Sequence, residues 1–158
     1  MKFSAQEEFG LRCMVALARE GADGFLTIPT IASAEGLTQS HVAKLLSILR
    51  KGGFVTSIRG QQGGYALSRH PAQIKVGDLL AVLGGRLCHD GFCDRFTGRQ
   101  RECVHTEDCT LLPLWIRIQR AVDKVLNDMT LEDLVDPQAG VNVKIFEDSS
   151  AREFAHPN

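Results

Sequence analysis

Residues 38–67 read TQSHVAKLLSILRKGGFVTSIRGQQGGYAL, and this stretch decides the fold. Thr38 carries a hydroxyl suited to capping a helix, and the helix it predicts runs from Gln39 to about Lys51. Along it Val42, Leu45, Leu46 and Leu49 recur at i, i+3, i+4 and i+7, which makes one buried stripe. Ser40, Lys44 and Ser47 fall on the far face, with Gln39 and His41 at the N-terminal end. Just upstream, Thr27 caps a shorter helix with Pro29 in its first turn, Ile31 and Ala32 facing inward and Gly36 as its stop. A short helix, a glycine turn and a helix buried on one side make a helix-turn-helix, whose polar leading turn suits a major groove. After Gly52-Gly53, Phe54–Ile58 reads as a strand and Tyr65–Leu67 as its return. The tip between them, Arg59-Gly60-Gln61-Gln62-Gly63-Gly64, has no carboxylate, and its glycines let the backbone press against phosphate or into a minor groove. The fold expected is mainly α with a small β-hairpin wing. Its expected DNA-facing residues are Thr38, Gln39, Ser40, His41, Lys44, Arg59, Gln61, Gln62 and Gly63.

Outward from this core, Ser4-Ala5-Gln6-Glu7 has the spacing of a capping box and opens a first helix. Phe9, Cys13, Ala16 and Leu17, with Leu11, Val15 and Ala18, give it apolar faces until Gly21; Glu8 lies on its flank, one turn from Arg12. Downstream, Val76–Leu83 is a short apolar helix ended by Gly84-Gly85. Residues 86–110 lack periodicity and are read as a long loop, a length that compact domains keep for function or for a bound ligand. A long helix follows, roughly Leu111 to Asp128. Leu112, Trp115, Gln119, Val122, Leu126 and Met129 form a seam with coiled-coil spacing, while Leu111, Leu114, Ile118 and Val125 form a second stripe. One stripe packs on the domain and the other on a second subunit; the seam, centred on Val122 and Leu126, is taken as the subunit interface of a homodimer. Thr130 caps a last short helix through Val135. The expected division is 1–85 as winged helix-turn-helix, 86–110 as cysteine loop, 111–136 as dimerisation helix with its short capping helix, and 137–158 as a disordered tail with one strand-like piece, 141–146.

The chain has 158 residues and 44% hydrophobic, 23% charged composition, enough for one domain with a core and one appended element. No apolar run approaches the ~20 residues of a membrane span. Met1-Lys2-Phe3-Ser4 lacks a signal-peptide pattern, so a cytoplasmic location is expected, where thiols stay reduced. The net charge of −1 does not advertise nucleic-acid binding, but its distribution does. Lys44, Arg50, Lys51, Arg59, Arg69 and Lys75, with His70, occupy a stretch free of Asp and Glu, which gives one face able to meet phosphate.

Cys88, Cys93, Cys103 and Cys109 are separated by four, nine and five residues. Paired C-x-x-C turns, usual in zinc ribbons and thioredoxin-like enzymes, are missing. Single thiols along an extended loop suit a larger object such as an iron-sulfur cluster; zinc and free-thiol sensing remain alternatives. Cys13, on an apolar helix face, reads as a core residue, and His70 and His156 suggest no site. His89, His105 and Cys88 lie in the loop as reserve ligands. No catalytic His/Cys/Asp set is legible, and Gly60–Gly64 follows a strand without opening a helix, so an enzyme is not expected. Competing with a cluster-controlled regulator are a zinc- or thiol-based DNA-binding regulator and, more remotely, a redox enzyme using Cys93 or Cys103.

The order of Ser4–Leu17, Ile31–Phe54, the Arg59-Gly60-Gln61-Gln62-Gly63-Gly64-Tyr65 wing, and Cys109 leading into Leu114-Trp115 resembles the bacterial winged-helix iron-sulfur repressors of the IscR and NsrR type. The likeness covers about residues 1–135. It implies a homodimer on palindromic double-stranded operators, with a cluster loop beside the long helix and the partner's first helix. Cys93, Cys103 and Cys109 match the three family cysteines, although the first gap is longer than the family's and Cys88 is extra. IscR-like members place a histidine three residues after the last cysteine, where this chain has Leu112. NsrR-like members use a carboxylate in the first helix of the other subunit, where Glu8 stands. The resemblance therefore implies Cys93, Cys103, Cys109 and Glu8 of the partner subunit as ligands of a [4Fe-4S] or [2Fe-2S] cluster, with His105 or Cys88 as substitutes. The expected function is a repressor whose operator affinity follows redox state, nitric oxide or iron.

Overall fold

The computed structural model describes residues 3–136 apart from 22–23, 61–62, 87, 89–91, 97–98, 100–102, 104 and 106–107. The expected tail, 137–158, with its strand-like piece and His156, lies outside the described residues, as do Gln61, Gln62 and His89. Six α-helices and one hairpin follow in the order α1 Ala5–Arg19, α2 Ile28–Glu35, α3 Gln39–Lys51, β1 Val55–Ile58, β2 Gly64–Leu67, α4 Val76–Leu83, α5 Leu112–Asn127 and α6 Leu131–Val135. Each of the first three helices starts where a side chain takes up orphan backbone donors. Ser4 and Glu7 form a reciprocal capping box on α1, Thr27 accepts from Thr30 N, and Thr38 accepts from His41 N. Gly36 ends α2 with φ +66°, a left-handed turn that suits glycine and sends the chain directly into α3.

Met14 and Leu17 of α1, Ile31 of α2, the stripe Val42, Leu45, Leu46 and Leu49 of α3, and Leu79 and Leu83 of α4 meet in one core. Cys13 is fully buried there as a small hydrophobe. Gly10 lets α1 and α4 approach closely, since a Cβ at this position would overlap the Leu83 side chain. The wing pairs antiparallel in the register Val55↔Leu67, Thr56↔Ala66, Ser57↔Tyr65 and Ile58↔Gly64. Phe54, expected as the first strand residue, instead precedes β1 as a buried plug beneath the Arg69 guanidinium.

Three features escape a local reading. Leu26 exchanges backbone hydrogen bonds with Tyr65, 3.0 and 2.8 Å, and so covers the free edge of β2. A 3₁₀ turn at Pro71–Gln73 is capped by His70 Nδ1, which accepts from Ala72 N and gives that histidine a structural role. The chain after α5 returns to the winged domain: Val76 N donates to Met129 O, Leu131 N donates to Ile74 O, and Leu131 is fully buried. The C-terminal end of α5 is thereby stitched to the domain that carries the wing.

Candidate functional site

The recognition turn is built by the Thr38 cap. Thr38, Gln39, Ser40 and Lys44 are exposed, with Thr38 Oγ1 3.2 Å from Ser40 Oγ. His41 differs from the expectation. It is half-buried, with its ring edge-on to Phe9 of α1 at 5.4 Å and 88°, because α1 crosses α3 just there. Arg59 is exposed at the root of the wing tip, and Gly63 N donates to Gly60 O at 3.0 Å to close the turn. Of the described DNA-facing candidates, Thr38, Gln39, Ser40, Lys44 and Arg59 are thus exposed, and His41 is held from behind by Phe9.

The second candidate site lies at the other end of the chain. Cys93, Cys103, Cys109 and His105 line one cavity of about 310 Å³ with Phe92, Phe96, Leu111, Leu112 and Trp115. Cys93 opens a 3₁₀ turn, Cys93–Phe96, inside what the sequence presents as plain loop. Phe92 packs between Phe96 and Trp115, at 5.2 and 6.2 Å, and so ties that turn to α5. Cys109 sits just before α5, where its Sγ accepts from Leu112 N at 3.3 Å. The Cys93 thiol is pushed up from its ordinary pKa, first by loss of solvent and then by Cys103, Cys109, Cys88 and Asp94. Several thiolates in one place repel each other, and a bound cationic centre would relieve that repulsion. Among the described residues no three His, Cys, Asp or Glu side chains converge as tightly as one metal ion requires. A donor set of three thiols in an apolar pocket suits a soft, multi-iron cluster.

Cys88 and Glu8 do not line this cavity, although Cys88 is near enough to act on the Cys93 thiol. Cys88 is tied by its backbone, whose N–H donates to Gln119 Oε1 at 3.0 Å. Gln119 is the one buried polar residue among the described residues, and its Nε2 donates to Asp123 Oδ1 at 2.8 Å. The sequence placed Gln119 in an apolar seam and gave no sign of this role. Glu8 is exposed on α1 and does not line the cavity of its own chain. Its neighbour Arg12 turns instead to Glu35, 2.7 Å away.

The two stripes of α5 meet different surroundings. Gln119, Val122 and Leu126 face a groove shared with Gly77, Leu80 and Ala81 of α4, and Leu112 and Trp115 wall the cysteine cavity. Of the second stripe, Leu114 and Val125 are 49 and 61% exposed and Ile118 is half-buried, while Leu111, 58% exposed, shares the rim of the cysteine cavity with Trp115 of the seam, 40% exposed. The stitch at Met129 and Leu131 ties the C-terminal end of α5 to the winged domain.

The profile of the Rrf2 family, described as an iron-dependent transcriptional regulator, matches residues 3–137. The chain belongs to the Rrf2 family. This Rrf2-family regulator is 37% identical over 134 residues to the HTH-type transcriptional regulator CymR of Bacillus subtilis, an alignment covering 85% of this chain and 89% of that protein. The solved structure of CymR, the global cysteine regulator of B. subtilis, superposes with a TM-score of 0.68 at 35% identity, covering 85% of this chain and 96% of that one. T. potens IscR superposes with a TM-score of 0.67 at 28% identity, covering 98% of this chain and 95% of that one. The resemblance to IscR- and NsrR-type proteins and the winged-helix fold are both borne out, and the relatives are transcriptional regulators, not enzymes. No helix among the described residues is long and apolar enough to cross a membrane.

Proposed function

We propose that this protein is a cytoplasmic, dimeric transcriptional repressor whose grip on a palindromic operator is set by an iron-sulfur cluster in the 86–110 loop. The observation that carries this reading is the convergence of Cys93, Cys103 and Cys109 on one apolar cavity at the start of α5. Those three thiols hold the cluster, Glu8 of the partner subunit supplies the fourth ligand, and His105 in the same cavity or the nearby Cys88 substitutes where Glu8 is lost. When bound, an iron-sulfur cluster supplies a centre that responds to redox state, nitric oxide or iron supply. The hydrogen bond from Leu112 N to Cys109 Sγ holds one ligand at the helix start, and the Phe92–Phe96–Trp115 contacts tie the turn that carries Cys93 to α5.

On DNA, Gln39, Ser40 and His41 meet base edges, and Thr38, Lys44, Arg59, Gln61, Gln62 and Gly63 meet the backbone or minor groove. A two-fold dimer sets the half-sites about one helical turn, ~34 Å, apart. The test is visible absorption with iron and sulfide analysis on protein made under iron-replete anaerobic conditions. Brown protein that loses its iron in Cys103→Ala and holds it in altered or labile form in Glu8→Ala is the expected result. An unaltered, equally stable spectrum in Glu8→Ala moves the fourth ligand to His105 or Cys88. Full occupancy by zinc with no iron removes the cluster.

A second reading, a thiol- or zinc-based regulator without a cluster, is favoured by the likeness to the cysteine regulator CymR. Colourless protein that still binds its operator selects it.

A further inference from the structure

The fully buried stripe of α3 begins at Val42, and before it Leu37 is only partly buried against the core. A further hold on that turn comes from α1. Arg12 Nε donates to Glu35 Oε2 at 2.7 Å, and Arg12 Nη2 donates to the Glu35 carbonyl at 3.0 Å. Glu35 is the last residue of α2, directly before the left-handed Gly36. The Arg12 guanidinium lies 5.5 Å from the Phe9 ring centroid, within cation–π reach. Phe9 in turn meets His41, whose own N–H is the donor that Thr38 caps. Residues 9 and 12 are neighbours on one face of α1 and move as a unit. Between them they grip both sides of the turn, Glu35 on the incoming helix and His41 on the outgoing one.

We propose that Phe9 and Arg12 are positioning residues for DNA reading: by holding Glu35 and His41 they set the tilt of the first turn of α3, and they carry a pull on Glu8 to the bases. The second clause rests on the proposed ligation by Glu8, which directly precedes Phe9. An ion pair with Arg12 42% and Glu35 15% exposed adds little stability, so its effect falls on orientation. Orientation is what direct readout requires, because a bidentate base contact tolerates little misplacement.

The experiment uses the full chain and a duplex selected from a random pool by the wild-type protein. Phe9→Leu keeps apolar volume but removes the edge-on ring, Arg12→Gln removes the ion pair, and Arg12→Lys restores a cation to Glu35. The expected result is a roughly tenfold fall in the ratio of specific to non-specific affinity for Phe9→Leu and Arg12→Gln, about the size of one spoiled base contact. Non-specific affinity, dimerisation and unfolding midpoint should stay near wild type, and Arg12→Lys should recover most of the ratio. An unchanged ratio in both variants overturns the proposal, and so does an equal loss of specific and non-specific binding, which marks a folding defect. The measurement is made on iron-loaded and iron-stripped protein. If the wild type binds equally in both states, the cluster reading fails while the specificity ratio still decides the brace. If the two states differ in wild type, Phe9→Leu should bring them within about twofold, well below the usual range of allosteric coupling. A full wild-type difference in that variant removes the transmitting role.

Discussion

Val125→Glu is expected to convert the dimer into monomers, and its size can be worked from the outward stripe of α5. Val125 is 61% exposed in the single chain, with Leu114 at 49% and Leu111 at 58% about three or more turns away toward the start of the helix. Such an unpartnered apolar stripe is the expected seat of a second copy. Burying the remaining half of a valine or leucine side chain is worth about 1 kcal/mol, given ~1.5–3 kcal/mol for complete burial. A carboxylate left unpaired in the interface adds at least ~2 kcal/mol. On a two-fold interface each change counts twice, so the dimer loses about 6 kcal/mol, roughly four decades in Kd. Sedimentation velocity at micromolar concentration should then show monomers with a normal circular dichroism spectrum, and operator binding should fall with loss of the second half-site. Val122→Glu and Leu126→Glu are the contrasting pair. Both side chains face α4, so a charge there should lower the unfolding midpoint before it affects association. An intact dimer for Val125→Glu, or monomers from Val122→Glu with an unchanged midpoint, would refute the assignment of the stripes.

Three further outcomes follow from individual contacts. Lys44→Ala should weaken binding to all sequences and reduce the slope of log affinity against log salt by about 0.9, measured by fluorescence anisotropy. Burial, with the Glu35 charge adding to it, pushes the Cys13 thiol up to about 11 from an ordinary 9.0. The folded state keeps that proton longer than the unfolded state, so this contribution is full below about pH 9 and is lost as pH rises through about 11; Cys13→Val should flatten that alkaline slope in urea titrations. Gln119→Leu leaves the Cys88 N–H without its acceptor, which should cost about 1–3 kcal/mol and speed alkylation of the Cys88 thiol, followed by mass spectrometry.

Features set by local pattern were legible in the sequence, and those set by how the helices cross were not. The Thr38 cap, the Gly36 stop and the spacing of Val42, Leu45, Leu46 and Leu49 each act within one or two turns, so α2 and α3 appear where the residues predict them. The Arg12–Glu35 pair spans 23 residues and the Cys88–Gln119 contact spans 31; neither leaves a periodic trace. The same holds for Leu26 against Tyr65, a pairing of single residues. On α5 both stripes were visible, but hydrophobic spacing does not say which faces inward. Leu131 and the hydrogen bonds at Ile74 and Val76, which tie the end of α5 to the winged domain, lie beyond the helix. In the loop, spacing left cluster, zinc and free thiol open, whereas the three-dimensional arrangement puts Cys93, Cys103 and Cys109 on one cavity that Cys88 does not line.

The anchoring of the cysteine loop constrains how any event there could reach DNA. Its start is held at Gln119 through Cys88 N, and its end at Leu112 through Cys109 Sγ, so both anchors lie on α5. A group joining Cys93 and Cys103 to Cys109 therefore tightens the loop onto α5 and does not act directly on the recognition turn of its own chain. Two routes remain. One runs along α5 to its stitched C-terminal end at Met129 and Leu131, where a small rotation would change the spacing of the two wings. The other, on the proposed ligation by the partner subunit's Glu8, would run through that exposed residue to the adjoining Phe9 and its contact with His41. The routes differ in what they alter. A change in wing spacing would shift the preferred distance between half-sites and leave each half-site's sequence preference intact, whereas a pull through Phe9 would change base discrimination at fixed spacing. Operators with one base pair inserted between half-sites, compared in iron-loaded and iron-stripped protein, separate the two. A loaded-to-stripped affinity ratio that depends on the insertion assigns the coupling to α5, and one that is independent of it assigns the coupling to α1.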